Sequence, residues 1–406
     1  MSKRYDPRKG YTWNKIAIGF IRIIAGWAIC LFTGYSYTRY KPKSDTWLLL
    51  SNHTMDFDPL YDVITLKRFM RFVASANIMR GFPGCFVKWL ANPIPREKGA
   101  SADDVVEKVR RSLDAGVPVA MYPEGNTTWD GETGFISKRT AELVKESKGS
   151  LITIRKVGGY LKMPRWSKIK RKGRSYGEVV AEYPRAQLCE MSVDEIYDII
   201  KRDLYVDAYE EEEKRHWKYT CPALAEGLEA ALYVCPVCGR VGRLSSKGDS
   251  FFCSCGAGWN YTDEGWLVPD GNTKNDTAAD FDDPFEGKDR ISILEWSKWQ
   301  KAYLHNNAEK LAGSTEEPIC VDDAIRAYGD RLEVFNENIK NGTVDENSAY
   351  TVFYWKDITK LSIFRATRLF FTCKGEQVEV FIDPEKGRVG QEYYALWRIC
   401  TGKEYV

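Results

Sequence analysis

Between residues 44 and 206 short apolar runs alternate with stretches of helical periodicity. Trp47–Leu50 is an unbroken apolar run, the pattern of a strand covered on both faces. Arg71–Ser75, Val117–Tyr122, Leu151–Val157 and Glu178–Tyr183 read as further strands. Ser101-Ala-Asp-Asp104 is similar to a capping box; Val105, Val109 and Leu113 follow at helical spacing, and Gly116 supplies a stop. Phe135–Lys145 reads as a helix, and Ser192-Val-Asp-Glu195 opens another that reaches about Val206. This alternation predicts an α/β domain.

Upstream, Ile16–Phe32 reads IAIGFIRIIAGWAICLF. As a helix the run would span ~25 Å at ~1.5 Å per residue, short of the ~30 Å hydrocarbon core of a bilayer. Arg22 interrupts it, and cations flank both ends: Lys3, Arg4, Arg8, Lys9 and Lys15 before, Arg39, Lys41 and Lys43 after. A crossing helix shows Lys/Arg asymmetry, which is small here. The expectation is an amphipathic helix lying in the membrane interface with Arg22 snorkelling, weighed against a buried core helix and a single span.

Downstream, the acidic stretch Glu210–Glu213 marks a boundary, a cysteine-rich insert follows, and Asp, Gly and Pro dominate residues 263–290. A Trp-rich helix (Leu294, Trp296, Trp299, Tyr303) leads into candidate strands Arg331–Phe335, Thr351–Trp355, Lys360–Phe364, Arg368–Thr372 and Gln377–Ile382, closed by a helix over Val389–Cys400. Short strands with one terminal helix suggest a β-rich domain of the pleckstrin-homology (PH) type. The expected organisation is 1–43 interfacial helix, 44–215 α/β domain, 216–262 ribbon, 263–290 linker and 291–406 helix plus β-rich domain.

Composition narrows the function classes. Lys and Arg number 59 against 57 Asp and Glu, a net charge of +2, which excludes a global field for polyanions. A mean hydropathy of −0.42 excludes a polytopic membrane protein. Eleven scattered cysteines, an odd number, do not form a secreted disulfide framework, so a reducing compartment is expected.

Four of them cluster. Cys235-Pro-Val-Cys238-Gly is followed after 14 residues by Cys253-Ser-Cys255-Gly. Paired thiolates on two turns joined by a short hairpin suit tetrahedral Zn²⁺, and four thiolates close the coordination sphere, so the expected zinc is structural. The region resembles a zinc ribbon. His216 and Cys221 are bystanders in this reading.

Three further motifs carry candidate chemistry. Ser51-Asn52-His53-Thr-Met-Asp-Phe-Asp58-Pro stands at the end of the Trp47–Leu50 strand. A His beside a carboxylate can act as a general base whose tautomer its partner fixes. Asn92-Pro-Ile-Pro-Arg96-Glu-Lys98 precedes a helix start, and Val119-Ala-Met-Tyr-Pro-Glu124-Gly125 ends a strand. Arginines near helix starts and Gly-containing turns are what a phosphate needs.

In this order the motifs resemble the glycerolipid acyltransferases of the lysophosphatidic acid acyltransferase family, over roughly residues 44–205. The resemblance implies transfer of a fatty acyl group from a thioester, acyl-CoA or acyl carrier protein, to the hydroxyl of a lysophospholipid. Lysophosphatidic acid giving phosphatidic acid stands first. It implies catalytic roles for His53 and Asp58, and substrate contacts from Asn52, Arg96, Glu124 and Gly125. Direct transfer is favoured, because no Ser or Cys stands in a nucleophile-elbow context.

Lys162–Arg174 holds seven Lys/Arg with Trp166 inside. Beside an interfacial helix it suggests an anionic membrane surface on the cytoplasmic face, with no nucleic acid expected. The alternative is a zinc-ribbon binding protein that contacts nucleic acid or a protein partner and carries a degenerate acyltransferase scaffold.

Overall fold

The computed structural model describes residues 5–79, 81–96, 102–271, 283–322, 324–364, 366–383 and 390–403. The chain divides into two compact units, Met1–Pro164 with Lys172–Tyr219, and Arg165–Arg171 with Thr220–Val406.

In the first unit a seven-stranded sheet runs in the order β1 (Tyr35–Tyr37), β7 (Ser175–Tyr183), β6 (Ser150–Val157), β2 (Trp47–Ser51), β5 (Val119–Met121), β3 (Arg71–Ser75), β4 (Ile94–Arg96). All neighbours are parallel except β6 and β7. Strand β2 lies at the centre with every residue buried. Leu48 and Leu50 pack with Val109, Leu143, Ile196 and Ile200 from helices α4 (Ala102–Asp114), α5 (Arg139–Glu146) and α8 (Val193–Leu204). Trp47 and Leu49 pack on the other face with Val63 and Leu66 of α2 (Asp58–Leu66). Cover on both faces is why the run shows no polar alternation.

Short helices α3 (Gly81–Ala91), α6 (Gly159–Lys162), α7 (Arg185–Glu190) and α9 (Ala208–Arg215) complete the unit. Ser192 and Glu195 form the expected capping box on α8. Ser101 of the other expected box lies outside the described residues. Helix α5 starts later than its periodicity predicts, because Gly134 is held by the Glu124 carboxylate and Phe135–Lys138 stay outside the helix. The acidic stretch Glu210–Glu213 lies just before the boundary it is expected to mark. It lies in α9, capped by Asp207, and the division between units falls after Tyr219.

The apolar helix α1 (Tyr11–Thr33) has 23 residues, more than the apolar run alone, and at ~1.5 Å per residue is ~35 Å long. By length and composition it could cross a membrane, so the expected shortfall in length does not hold. Only Asn14 and Gly26 are buried, which removes the core-helix alternative. One side docks lengthwise: Asn14 donates to the carbonyls of Trp89 and Leu90, Ile18 meets the sheet core, Gly26 faces Ile64, and Cys30 meets the Tyr35–Tyr61 cluster. Ile16, Phe20, Ile23, Trp27 and Leu31 are exposed at helical spacing. Buried Arg71 ties down the segment before α1, donating to the carbonyls of Pro7, Lys9 and Asn92.

In the second unit, β8 (Leu244–Lys247), β9 (Ser250–Cys253), β10 (Gly258–Tyr261) and β11 (Leu267–Pro269) form an antiparallel sheet that runs past residue 262 into the expected linker. Helix α10 (Ile293–Asn306) lays Trp296 across Phe251 and Trp259, and its indole donates to the Val234 carbonyl. Beyond α11 (Ala308–Ala312) come two four-stranded sheets. One is β12 (Cys320–Val321), β13 (Ile325–Ala327), β14 (Arg331–Phe335) and β16 (Tyr350–Tyr354). The other is β15 (Ile339–Asn341), β19 (Glu376–Phe381), β18 (Arg368–Cys373) and β17 (Ile358–Phe364), with α12 (Glu392–Cys400) last. The five expected strands are all present; β12, β13 and β15 are too short to show a period of two.

The basic stretch Lys162–Arg174 divides between interior and surface. Trp166 is fully buried and meets Tyr261 edge-on. The Arg171 guanidinium, also buried, lies 5.0 Å from the Trp166 ring centroid and 4.7 Å from that of Tyr261, and donates to the Leu224 carbonyl. Arg165 donates to the Ile363 carbonyl, and Lys168 pairs with Glu226. In the first unit Lys162 is buried and bonds the Thr33 carbonyl. Trp166, Lys162, Arg165 and Arg171 hold the fold, while Lys168, Lys170, Lys172 and Arg174 are exposed at the surface. Trp166→Ala should therefore destabilise the second unit by about 3–5 kcal/mol, the cost of emptying a packed Trp site. Vesicle sedimentation should not change. Unaltered urea unfolding with reduced vesicle binding would instead give Trp166 itself a membrane role.

Candidate functional site

The site of the first unit lies where β2, β5 and β6 end. After Ser51 the chain turns so that Asp58, the first residue of α2, points back into the loop instead of capping the helix. Its Oδ2 accepts from His53 Nδ1 at 2.9 Å, from the Thr54 N–H at 2.6 Å and from the Met55 N–H at 3.0 Å. Oδ1 accepts from the Thr54 hydroxyl at 3.2 Å. Asp58 is fully buried and His53 about one-fifth exposed. Burial alone would raise the Asp58 carboxyl. The Lys156 ammonium, His53 and the Met55 N–H outweigh it and hold the pKa below the ordinary value. An ionised Asp58 puts the proton of neutral His53 on Nδ1 and leaves Nε2 as its basic nitrogen.

The loop after β5 is a turn in which the Gly125 N–H bonds the Tyr122 carbonyl at 3.0 Å, with Pro123 second and Gly125 last. Gly125 has φ 75°, and a Cβ there would meet Arg96 Nη1 at 2.9 Å. The positive φ favours glycine, and the guanidinium of Arg96, carried on β4, lies over the turn. Glu124 stitches loops together: Oε1 accepts the His53 N–H at 2.6 Å and Oε2 the Gly134 N–H at 2.7 Å. Burial pushes its carboxyl up to about 8, with those two N–H groups pulling the other way.

His53, Asp58, Arg96, Glu124 and Gly125 are therefore brought together. His53, Asn52 and Glu124 line one cleft with Lys156, Gly158 and Tyr160. Asn52 differs from its expected role. Its buried side-chain amide is used in both directions by the backbone of Lys156, donating to the carbonyl and accepting from the N–H at 2.8 Å each. It clamps β6 to the His53 loop. Glu97 and Lys98 of the Arg96 motif lie outside the described residues.

Three neighbours escaped the motif reading. Lys156 is buried on β6, its Nζ 2.8 Å from Asp62 Oδ1 and 3.8 Å from Asp58 Oδ1. Asp62, one turn after Asp58, accepts the Tyr122 hydroxyl at 2.6 Å. The Tyr122 ring stacks on His53 with centroids 4.3 Å apart. Burial raises the Asp62 carboxyl despite Lys156 and Tyr122, and raises the Tyr122 phenol well above its ordinary value, helped by the charges of Asp62 and Asp58. A lysine buried in strand Ser150–Val157, beside the half-buried Arg155, is what the sequence alone does not separate from an ordinary surface cation.

In the second unit the four cysteine sulfurs lie within 4.8 Å of one another and could hold a metal ion. A metal bound tetrahedrally by sulfur at ~2.3 Å sets its ligands ~3.8 Å apart. Cys235 to Cys255 and Cys238 to Cys253 are both 3.8 Å apart. The unequal knuckles reach the same geometry. The Gly239 N–H bonds the Cys235 carbonyl, and the Gly256 N–H bonds the Cys253 carbonyl in a loop one residue shorter. Both glycines have positive φ. His216 closes α9 in the first unit.

Residues 34–160 match the family model described as Acyltransferase, so the first unit carries an acyltransferase domain. Among solved structures the chain is similar to the 1-acyl-sn-glycerophosphate (LPA) acyltransferase PlsC from Thermotoga maritima, with 17% identity over 52% of this chain and 85% of that one and a TM-score of 0.40. No curated protein matches it.

Asp58 offers a test of the site's electrostatics. Its folded-state pKa lies below the unfolded value of about 3.9, so its contribution to stability is complete above that pH and is lost as pH falls through the folded value. Asp58→Asn should lower the urea stability of the first unit at pH 7 by about 1–3 kcal/mol. The gap to wild type should narrow steadily below about pH 4. A gap independent of pH would contradict an ionised, stabilising Asp58.

Proposed function

We propose that the protein is a membrane-surface acyltransferase that moves a fatty acyl group from an acyl thioester to the hydroxyl of a lysophospholipid, with lysophosphatidic acid the leading acceptor. The observation that carries this reading is the His53–Asp58 pair, with His53 lining a cleft and Asp58 buried behind it, within the segment that matches an acyltransferase model. His53 Nε2 takes the proton of the acceptor hydroxyl as its oxygen attacks the thioester carbonyl, and Asp58 stabilises the imidazolium that forms. The imidazolium then returns its proton to the departing thiolate, so the transfer needs no acyl-enzyme. Arg96, exposed over the Gly125 turn, holds the acceptor's phosphate. Glu124 holds the two loops in register.

The lipid reaches the enzyme at a bilayer surface. The docked side of α1 ties it to the domain, while Phe20, Ile23, Trp27 and Leu31 face outward, which supports a helix lying in a membrane interface; the cytoplasmic leaflet is our assignment. In the second unit we assign Zn²⁺ to Cys235, Cys238, Cys253 and Cys255, a closed four-thiolate set whose role is structural. The two terminal sheets and α12 fit a PH-like module.

Kinetics on one acyl donor and one lyso-lipid test the first part. His53→Ala should lower kcat by ~10²-fold or more. Arg96→Ala should chiefly raise the acceptor KM, since a phosphate contact made equally in ground and transition states leaves kcat little changed. Near-wild-type turnover in His53→Ala would end the mechanism.

For the second part, purified protein should hold about one zinc per chain, and Cys238→Ser should lose it. Because Trp259 and Trp296 pack on the sheet that carries Cys253, near-ultraviolet dichroism should weaken in that variant while part of the acyl transfer survives. Metal analysis returning iron, or no metal, would refute the zinc assignment.

A further inference from the structure

Burying an ammonium and two carboxylates is costly, and in the first unit they stand within one small region: Lys156, Asp58 and Asp62 are all at most 2% exposed. Two carboxylates one helical turn apart repel, and the lysine reaching between them from β6 offsets only one of their charges. Counted formally, one ammonium and two carboxylates leave one negative charge, which a proton on His53 would cancel. The other titratable groups facing it, among the described residues, are three phenols and one carboxyl. Tyr35, Tyr61 and Tyr122 are phenols held above their ordinary pKa, and burial pushes Glu124 up to about 8.

We propose that Asp62 and Lys156 are positioning residues that set the proton affinity of His53, so that the buried set is electrically balanced only when His53 holds the proton taken from the acceptor. The proposal rests on the acyl-transfer reading above and adds to it the source of the imidazolium's stabilisation. The pathway of contact is continuous. Asp62 receives Lys156 on one oxygen and the Tyr122 hydroxyl on the other, the Tyr122 ring lies flat on His53, and Lys156 faces Asp58, which bonds His53 Nδ1. Lys156 also lies 4.8 Å from the Tyr122 ring centroid, so the cation touches both supports of the imidazole. Neither Asp62 nor Lys156 needs to meet substrate.

The test is the titration of His53, read by NMR on protein labelled with [¹³C]histidine. The chain has three histidines, so the His53 signal is assigned by its absence in His53→Gln. Asp62→Asn removes one negative charge and should lower the His53 midpoint by about one pH unit. Asp62→Asn with Lys156→Met restores the original net charge and should bring the midpoint back to within a few tenths of a unit of wild type. The acid limb of kcat/KM should follow in both. Where Asp62→Asn does not fold, Tyr122→Phe keeps the stacked ring but removes the hydroxyl from Asp62, and should raise the midpoint. An unchanged midpoint in folded Asp62→Asn, or in Tyr122→Phe in its place, overturns the proposal. A wild-type protein that transfers no acyl group sinks the acyl-transfer reading by itself, while the titration still decides the charge arrangement.

Discussion

Everything in the first unit that bears on chemistry depends on one carboxylate oxygen. Asp58 Oδ2 collects an imidazole N–H and two backbone N–H groups within 3.0 Å, which fixes the loop between β2 and α2 and the orientation of His53 in one stroke. A water-free carboxylate is tolerable only because these donors and a nearby ammonium replace its hydration. The rest of the site is arranged around that requirement. Glu124 pins the His53 backbone from the β5 side, and Asn52 pins the strand that delivers Lys156.

The second unit solves a different problem with similar means. A four-stranded sheet of short strands has too little core to stand alone. It is completed by the cysteine cluster at one place and by the Trp296 stack at another. The buried Trp166–Arg171 pair shows that a stretch rich in cations can belong to an interior, provided that aromatic faces and carbonyls receive the charge.

Much of this was legible in the chain. The Trp47–Leu50 run, the Ser192–Glu195 box and the cysteine spacing each encode their structure locally, so strand β2, helix α8 and the sulfur cluster needed no tertiary knowledge. The spacing of His53, Asp58, Arg96 and Glu124 pointed to residues that the fold brings together. What escaped depends on contacts distant in sequence. The charge pattern around Trp166 cannot reveal that Tyr261 lies against it. Asn52 reads as a polar group near a substrate until β6, a hundred residues on, is seen to use both ends of its amide. Lys156 and Asp62 belong to no motif, and their meaning appears only when strand and helix meet. The end of the ribbon was misread because Leu267–Pro269 is three residues long and framed by turn-forming sequence.

The docking of α1 also sets an order of events during synthesis. Each of these partners of the helix is made after it: Tyr61 and Ile64, then Trp89 and Leu90, and last Lys162, which bonds the Thr33 carbonyl. At ~5–20 residues per second the apolar helix leaves the ribosome seconds before its seat exists. During that interval both of its sides are unpartnered, and any bilayer beside the ribosome competes with the unfinished domain for the same surface.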